Sequence, residues 1–222
     1  MLKSVVVAER ARTPSQRWID LAEQQRSAVA AAAVELVAAG QIPLKVADLA
    51  DHAGITRPTF YKYFPTLGSA VLFTVRTLLT DLDAYVTPRA PRAANGREQL
   101  LARFALSFEY ARAHPEMTRF FSYYDFSFRE QGLFGDEDAE RGAISDGAGD
   151  PFLTLFKAGQ RDGSIDPDLP TDVTYLALVT SMTGTGQRLL IENSWTTGSD
   201  RRAVGVHEAL VEVWRTALTP KR

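Results

Sequence analysis

Two short helices hinged on one glycine constrain this chain more than anything else in it. The stretch Ala47 to Phe64 reads as such a pair, with Gly54 supplying the left-handed backbone angles that a tight turn between helices requires. Thr56 is placed to cap the second helix with its side-chain oxygen, and Pro58 falls in the first turn, where a missing N–H is harmless. Phe60 and Phe64 are four apart and share a face. They are assigned to the core with Leu49, Ala50 and Ile55, which leaves Arg57, Thr59, Tyr61, Lys62 and Tyr63 outward. Such a surface offers phosphate donors, and Arg57 can read guanine in bidentate fashion. The amides and positive dipole end at Thr56 suit a phosphate as well. An ordinary helical hairpin with solvated charges is the bland alternative, disfavoured by the tight Gly54-Ile55-Thr56 turn and the run Thr59-Phe60-Tyr61-Lys62-Tyr63-Phe64.

Those residues carry a resemblance. Asp48-Leu49-Ala50, Ala53-Gly54-Ile55-Thr56-Arg57-Pro58-Thr59-Phe60-Tyr61 and Tyr63-Phe64-Pro65 resemble the DNA-binding domain of the TetR family of bacterial one-component transcription regulators. Ala32, Ala33, Leu36 and Gly40 are similar to the family's first helix. Gly159-Gln160, Gly163, Ile165 and Pro167-Asp168-Leu169-Pro170 are similar to a pattern before its penultimate helices. The resemblance implies an N-terminal arm and helix-turn-helix DNA-binding domain over residues 1–65 and a helical ligand-binding and dimerisation domain over residues 66–222. It implies a homodimer on a palindromic double-stranded operator, repression as the default mode, and release by a small-molecule effector. The candidate DNA-binding set, read from the outward residues of the motif and from Lys45 as a phosphate donor, is Lys45, Thr56, Arg57, Pro58, Thr59, Tyr61, Lys62 and Tyr63. Residues 90–150 match nothing specific, as expected where members bind different ligands. Two departures stand out: Lys45 replaces the usual Ser or Thr cap, and Thr66-Leu67-Gly68-Ser69 replaces a Ser-Lys-Glu type sequence. They keep open a second reading, a helical ligand-binding dimer that has lost specific DNA binding.

Composition narrows the rest. The 222 residues contain no cysteine and are 45% apolar, with a formal charge of −2. No disulfide, thiol nucleophile or thiolate zinc site is available. Val5-Val6-Val7-Ala8 is too short for a signal-peptide core or membrane span, so a cytoplasmic protein with no membrane partner is expected. Residues 1–65 sum to +2 and residues 66–222 to −4, a modest asymmetry compatible with a DNA-reading head. Lys3, Arg10, Arg12 and Arg17 are candidates for a basic arm.

Periodicity gives an all-α chain. The alanine-rich stretch to Ala39 extends back to Pro14 or Ser15, Leu67 to Tyr85 connects head to body, and Gly96–Ala113 and Pro115–Phe128 divide at His114-Pro115. Gln131 to Gly149, with five glycines, reads as a loop. Pro151–Arg161, Thr171–Asn193 and Ser199–Leu218 follow. In the last of these Val206, Leu210, Val213, Trp214 and Ala217 form an apolar stripe. Periodicity alone leaves it facing the subunit's own core or a partner; the resemblance implies a dimer interface, with Gly184 and Gly186 permitting close approach. Six aromatics in the nine residues Phe120 to Phe128, with Phe104, Phe108, Met117 and Trp195, suggest an apolar pocket. Its candidate lining is Phe104, Phe108, Met117, Phe121, Tyr124 and Trp195. His52, His114 and His207 lie on separate elements without ligand spacing, and Asp136, Glu137, Asp138 and Glu140 read as a solvated acidic run. No enzyme, metal or cofactor is implied.

Overall fold

The structure is a computed structural model that describes residues 14–92, 95–129, 150–191 and 200–221. The expected loop from Gln131 to Gly149, the residues of the basic arm before Pro14, and Trp195 lie outside them. Among the described residues every regular element is helical. They are α1 (Pro14–Ala38), α2 (Val46–His52), α3 (Arg57–Tyr63), α4 (Leu67–Val86), α5 (Gly96–Ala113), α6 (Pro115–Tyr123), α7 (Pro151–Asp162), α8 (Thr171–Ile191) and α9 (Asp200–Ala217). Tyr124–Arg129 continues α6 as a π-helix, so the expected helix to Phe128 has the right extent but a wider last part.

Local chemistry sets the boundaries. Thr66 and Ser69 form a reciprocal capping box that starts α4, and Asn95 accepts from the Glu98 amide at 3.0 Å to start α5. Asp150 accepts from the Phe152 and Leu153 amides to start α7. These side chains pair amides that the helix itself leaves orphaned. Where α5 meets α7 only glycine fits: a Cβ on Gly96 would lie 2.2 Å from the Gly159 backbone nitrogen. That close approach lets Leu100, Leu101 and Phe104 of α5 share a buried cluster with Phe156 of α7, Leu178 and Met182 of α8, and Val211 of α9.

The second cluster crosses the expected division at residue 65. Val29, Ala33 and Leu36 of α1 pack with Leu49, Phe60 and Phe64, with Val71 and Leu72 of α4, and with Phe120, Tyr123 and Tyr124 of the α6 segment. Tyr123 also accepts a buried hydrogen bond from the Leu44 amide at 3.0 Å, in the connection before α2. Burial holds the Tyr123 phenol above its ordinary range, with the Leu44 amide working against that shift. The head is therefore completed by a helix of the body.

Candidate DNA interface and the body that carries it

Gly54 has φ +66°, in the left-handed region, and the turn it makes aims α3 away from α2. Thr56 caps α3 by accepting from the Thr59 amide at 3.3 Å, and the two threonine hydroxyls lie 2.9 Å apart. Pro58 occupies the first turn. Phe60 and Phe64 are fully buried, their ring centroids 5.5 Å apart. Full burial of two such rings contributes about 1.5–3 kcal/mol each, enough to fix the pitch of a helix only two turns long. The opposite side is left to solvent: Arg57, Pro58, Tyr61 and Lys62 are exposed and Thr59 half-buried.

Tyr63 departs from the expected outer surface. It is half-buried against the head core, and its hydroxyl donates to Gln25 Oε1 at 2.7 Å, so it struts α3 against α1 and is corrected from the outward set. Lys62 Nζ sits 5.4 Å from its ring centroid. Lys45 is exposed at the N-cap of α2, where its side chain makes no capping bond among the described residues, and Asp48 occupies the first turn. This agrees with the loss of the usual cap. The second departure is structural in outcome: Thr66 and Ser69 restore a capping box where a basic side chain is missing. In the head, His52 and Glu35 join α2 to α1 at 2.6 Å.

The aromatic residues expected to line a pocket are placed differently from one another. Phe121 and Tyr124 pack with the core that includes the head. Phe104 is buried against Phe152, centroids 4.6 Å apart. Phe108 stacks on His207 at 4.0 Å with ring planes 8° apart, and Met117 is buried. The crowding of six aromatics is resolved by dividing them: Phe120, Tyr123 and Tyr124 go inward to the head, while Phe126 is 72% exposed.

The stripe on α9 is divided: Val206, Val213 and Ala217 face out of the subunit, while Leu210 and Trp214 pack against its own core. Val213 is 61% exposed, Val206 and Ala217 are exposed, and Leu210 and Trp214 are half-buried. The residues buried outright are Ala203, His207, Val211 and Leu218. Trp214 Nε1 donates to Ser181 Oγ at 2.8 Å, locking α9 on α8. On α8, Val173 and Leu176 are each 63% exposed, and Ala177, Thr180 and Gly184 continue the same face in the open. Sequence reasoning missed Val173, Leu176 and Ala177, although their spacing from Thr180 and Gly184 was the available signal. Gly186 is corrected: it is buried, and a Cβ there would meet Phe108 at 3.7 Å.

His207 carries a testable consequence. Burial pushes its pKa down to about 4, against 6.5 for the unfolded chain. Below pH 6.5 the unfolded state takes up this proton first, so stability falls as pH drops from 6.5 and levels off below 4. The total loss is about 3 kcal/mol. Urea midpoints at pH 7, 5.5 and 4 should decline more steeply in the wild type than in His207→Leu. Parallel declines would mean that the imidazole takes its proton freely in the folded protein.

Among the described residues no group of three His, Asp or Glu side chains is arranged to hold a metal ion, and no helix is long and apolar enough to cross a membrane.

Known proteins share both the head and the architecture of the body. Residues 29–66 match the family described as bacterial regulatory proteins, tetR family. No curated protein matches the chain. Among solved structures, a TetR family transcription regulator from Marinobacter aquaeolei VT8 is 19% identical with a TM-score of 0.65, covering 92% of this chain and 100% of that one. FadR from Bacillus subtilis, in complex with stearoyl-CoA, is 14% identical with a TM-score of 0.61, covering 86% and 96%. The ketosteroid transcriptional regulator KstR2 of Mycobacterium tuberculosis is 21% identical with a TM-score of 0.53, covering 89% and 96%. At these identities the likeness concerns the fold.

Proposed function

The chain carries the tetR-family DNA-binding domain on the fold of TetR-family transcription regulators, and from that premise we propose that it is a repressor working as a homodimer. In this reading the dimer sits on a palindromic operator in the cytoplasm and is released by a small apolar or aromatic effector bound in its body. The observation that supports DNA reading most directly is α3: a buried Phe60–Phe64 pair holds a helix whose exposed side presents Arg57, Tyr61 and Lys62. A rigid helix with donors on one side is what a major groove requires. The open apolar face of α8 and α9 supports pairing with a second copy, which sets two reading helices about one DNA turn, ~34 Å, apart. Support for effector control comes from α6, which belongs to the head core through Phe120 and Tyr123 and also packs against α8. A shift of α6 is felt on both sides. FadR with stearoyl-CoA and the ketosteroid regulator KstR2 accord with a largely apolar effector.

Gel-shift titration against the DNA flanking the gene tests the reading. Lys62→Ala should weaken binding to all sequences and reduce the slope of log affinity against log salt by about 0.9 for each phosphate no longer neutralised. Arg57→Ala should relax sequence choice if the guanidinium reads a base. Affinity and salt slope unchanged in both variants would remove α3 from the interface.

A further inference from the structure

Helix α6 has two inward sides of opposite character. Phe120 and Tyr123 fill the head core. Thr118 and Ser122, four residues apart, share a different face. Thr118 is 4% exposed, and among the described residues neither its Oγ1 nor the buried Ser122 Oγ has a hydrogen-bond partner. Other helical hydroxyls in this chain behave differently. Thr74, fully buried, donates to the Ala70 carbonyl at 2.9 Å; Thr77 does the same to Phe73 at 3.0 Å and Ser107 to Arg103 at 2.8 Å. Among the described residues, orphaned hydroxyls in successive turns are therefore specific to this face. Asp125, next on the same face, accepts from Gln187 Nε2 of α8 at 3.3 Å, so the face is turned toward α8.

A buried hydroxyl without a partner destabilises the fold, and in a native protein such a group points to something the site is made to hold. We propose that Thr118 and Ser122 are the polar anchor of the effector site, selecting a neutral, oxygen-bearing apolar molecule (a ketone, ester or alcohol) over a carboxylate. This rests on the ligand-responsive reading above. Two hydroxyls donate well to a carbonyl or hydroxyl oxygen. An anion entering here loses its hydration while gaining only neutral donors, and it approaches the Asp125 carboxylate. The anchor sits on the helix that completes the head, so an occupant acts on the reading domain through a single element.

The test uses the full-length dimer. Thr118→Val keeps the shape and removes the hydroxyl, so without ligand it should raise the thermal midpoint by about 1–4 °C. Thr74→Val, the same change at a bonded threonine, should leave it unchanged or lower it. Ser122→Ala should follow Thr118→Val. In thermal-shift and gel-shift titrations, 2-decanone and 1-decanol should stabilise the wild type and release DNA at lower concentration than decane or decanoate. In the double variant Thr118→Val/Ser122→Ala that preference should fall by about tenfold. A midpoint lowered or unchanged by Thr118→Val overturns the anchor, as does decanoate being the better effector. Release of wild type and double variant at equal concentrations overturns the anchor yet leaves the ligand-responsive reading standing. Operator binding unmoved by all four probes overturns that reading, and the anchor with it.

Discussion

Val213→Glu should make the protein monomeric and lower its operator affinity by about 10²- to 10⁴-fold, the gain normally obtained by tethering two weak binding events. Val213 is the site to change because it is 61% exposed in the subunit, so glutamate there leaves the subunit's own packing alone. Trp214 is a poorer choice: it is half-buried and bonded to Ser181, and its removal would loosen α9 on α8 as well. In a dimer formed through this face, the new carboxylate would be desolvated beside Val173, Leu176 or their symmetry mates, with a penalty large enough to separate the subunits. Sedimentation should show half the mass, while the thermal midpoint extrapolated to low protein concentration stays near the wild-type value. Each head remains intact, so residual weak binding with an unaltered salt slope per half-site is expected. A wild-type protein that sediments as a monomer at micromolar concentration and still binds its operator tightly would defeat the assignment of this face.

Legibility in the sequence follows the range of the interactions involved. The helix-turn-helix is readable because its determinants are local: the Gly54 angle, the Thr56 cap, Pro58 in the first turn and the Phe60–Phe64 spacing each act within a few residues. Helix limits defined by caps are readable for the same reason, and Gly96–Ala113 is placed to the residue. What periodicity shows is a stripe, not what the stripe faces. Thus the α9 stripe is visible in the sequence but which of its residues face out is not, and the matching face on α8 is signalled only by the spacing of Val173, Leu176 and Ala177 from Thr180 and Gly184. The aromatic run from Phe120 is visible as an excess, yet its division between head core, body and solvent depends on where α1 and α8 lie. Tyr63 reads as outward because helical geometry puts it there; its bond to Gln25, 38 residues away, is a tertiary fact with no local sign. Lys45 and Thr66 are local in the way the caps are: their departures are legible, and the compensating Thr66–Ser69 box is signalled by the three-residue spacing of two hydroxyl side chains, although sequence reasoning missed it.

Phe120→Ala should destabilise the whole protein by about 3–5 kcal/mol, lowering the thermal midpoint by roughly 6–20 °C, and it should weaken DNA binding from a position far along the chain from α3. Phe120 is fully buried in the cluster that holds Val29, Leu49, Phe60 and Phe64, so truncation opens a cavity under the reading helix. Tyr123→Phe is the gentler companion. It removes one hydroxyl and leaves the buried Leu44 amide, bonded to it at 3.0 Å, without a partner, at a cost of about 1–3 kcal/mol. Hydrogen exchange separates this account from a head that folds alone. If α6 is built into the head, amides of Leu44, Leu49 and Phe60 lose protection in step with those of α6 in both variants. Under the proposed ligand-responsive reading, the same link makes α6 a two-sided element for operator and effector to bias, so Tyr123→Phe should also shrink the effector's influence on operator affinity. By reciprocity it should shrink the operator's influence on effector affinity by the same factor. Head amides that keep full protection in Phe120→Ala while the body loosens would show two independent units, and the route from effector to DNA would then have to run through α4 alone.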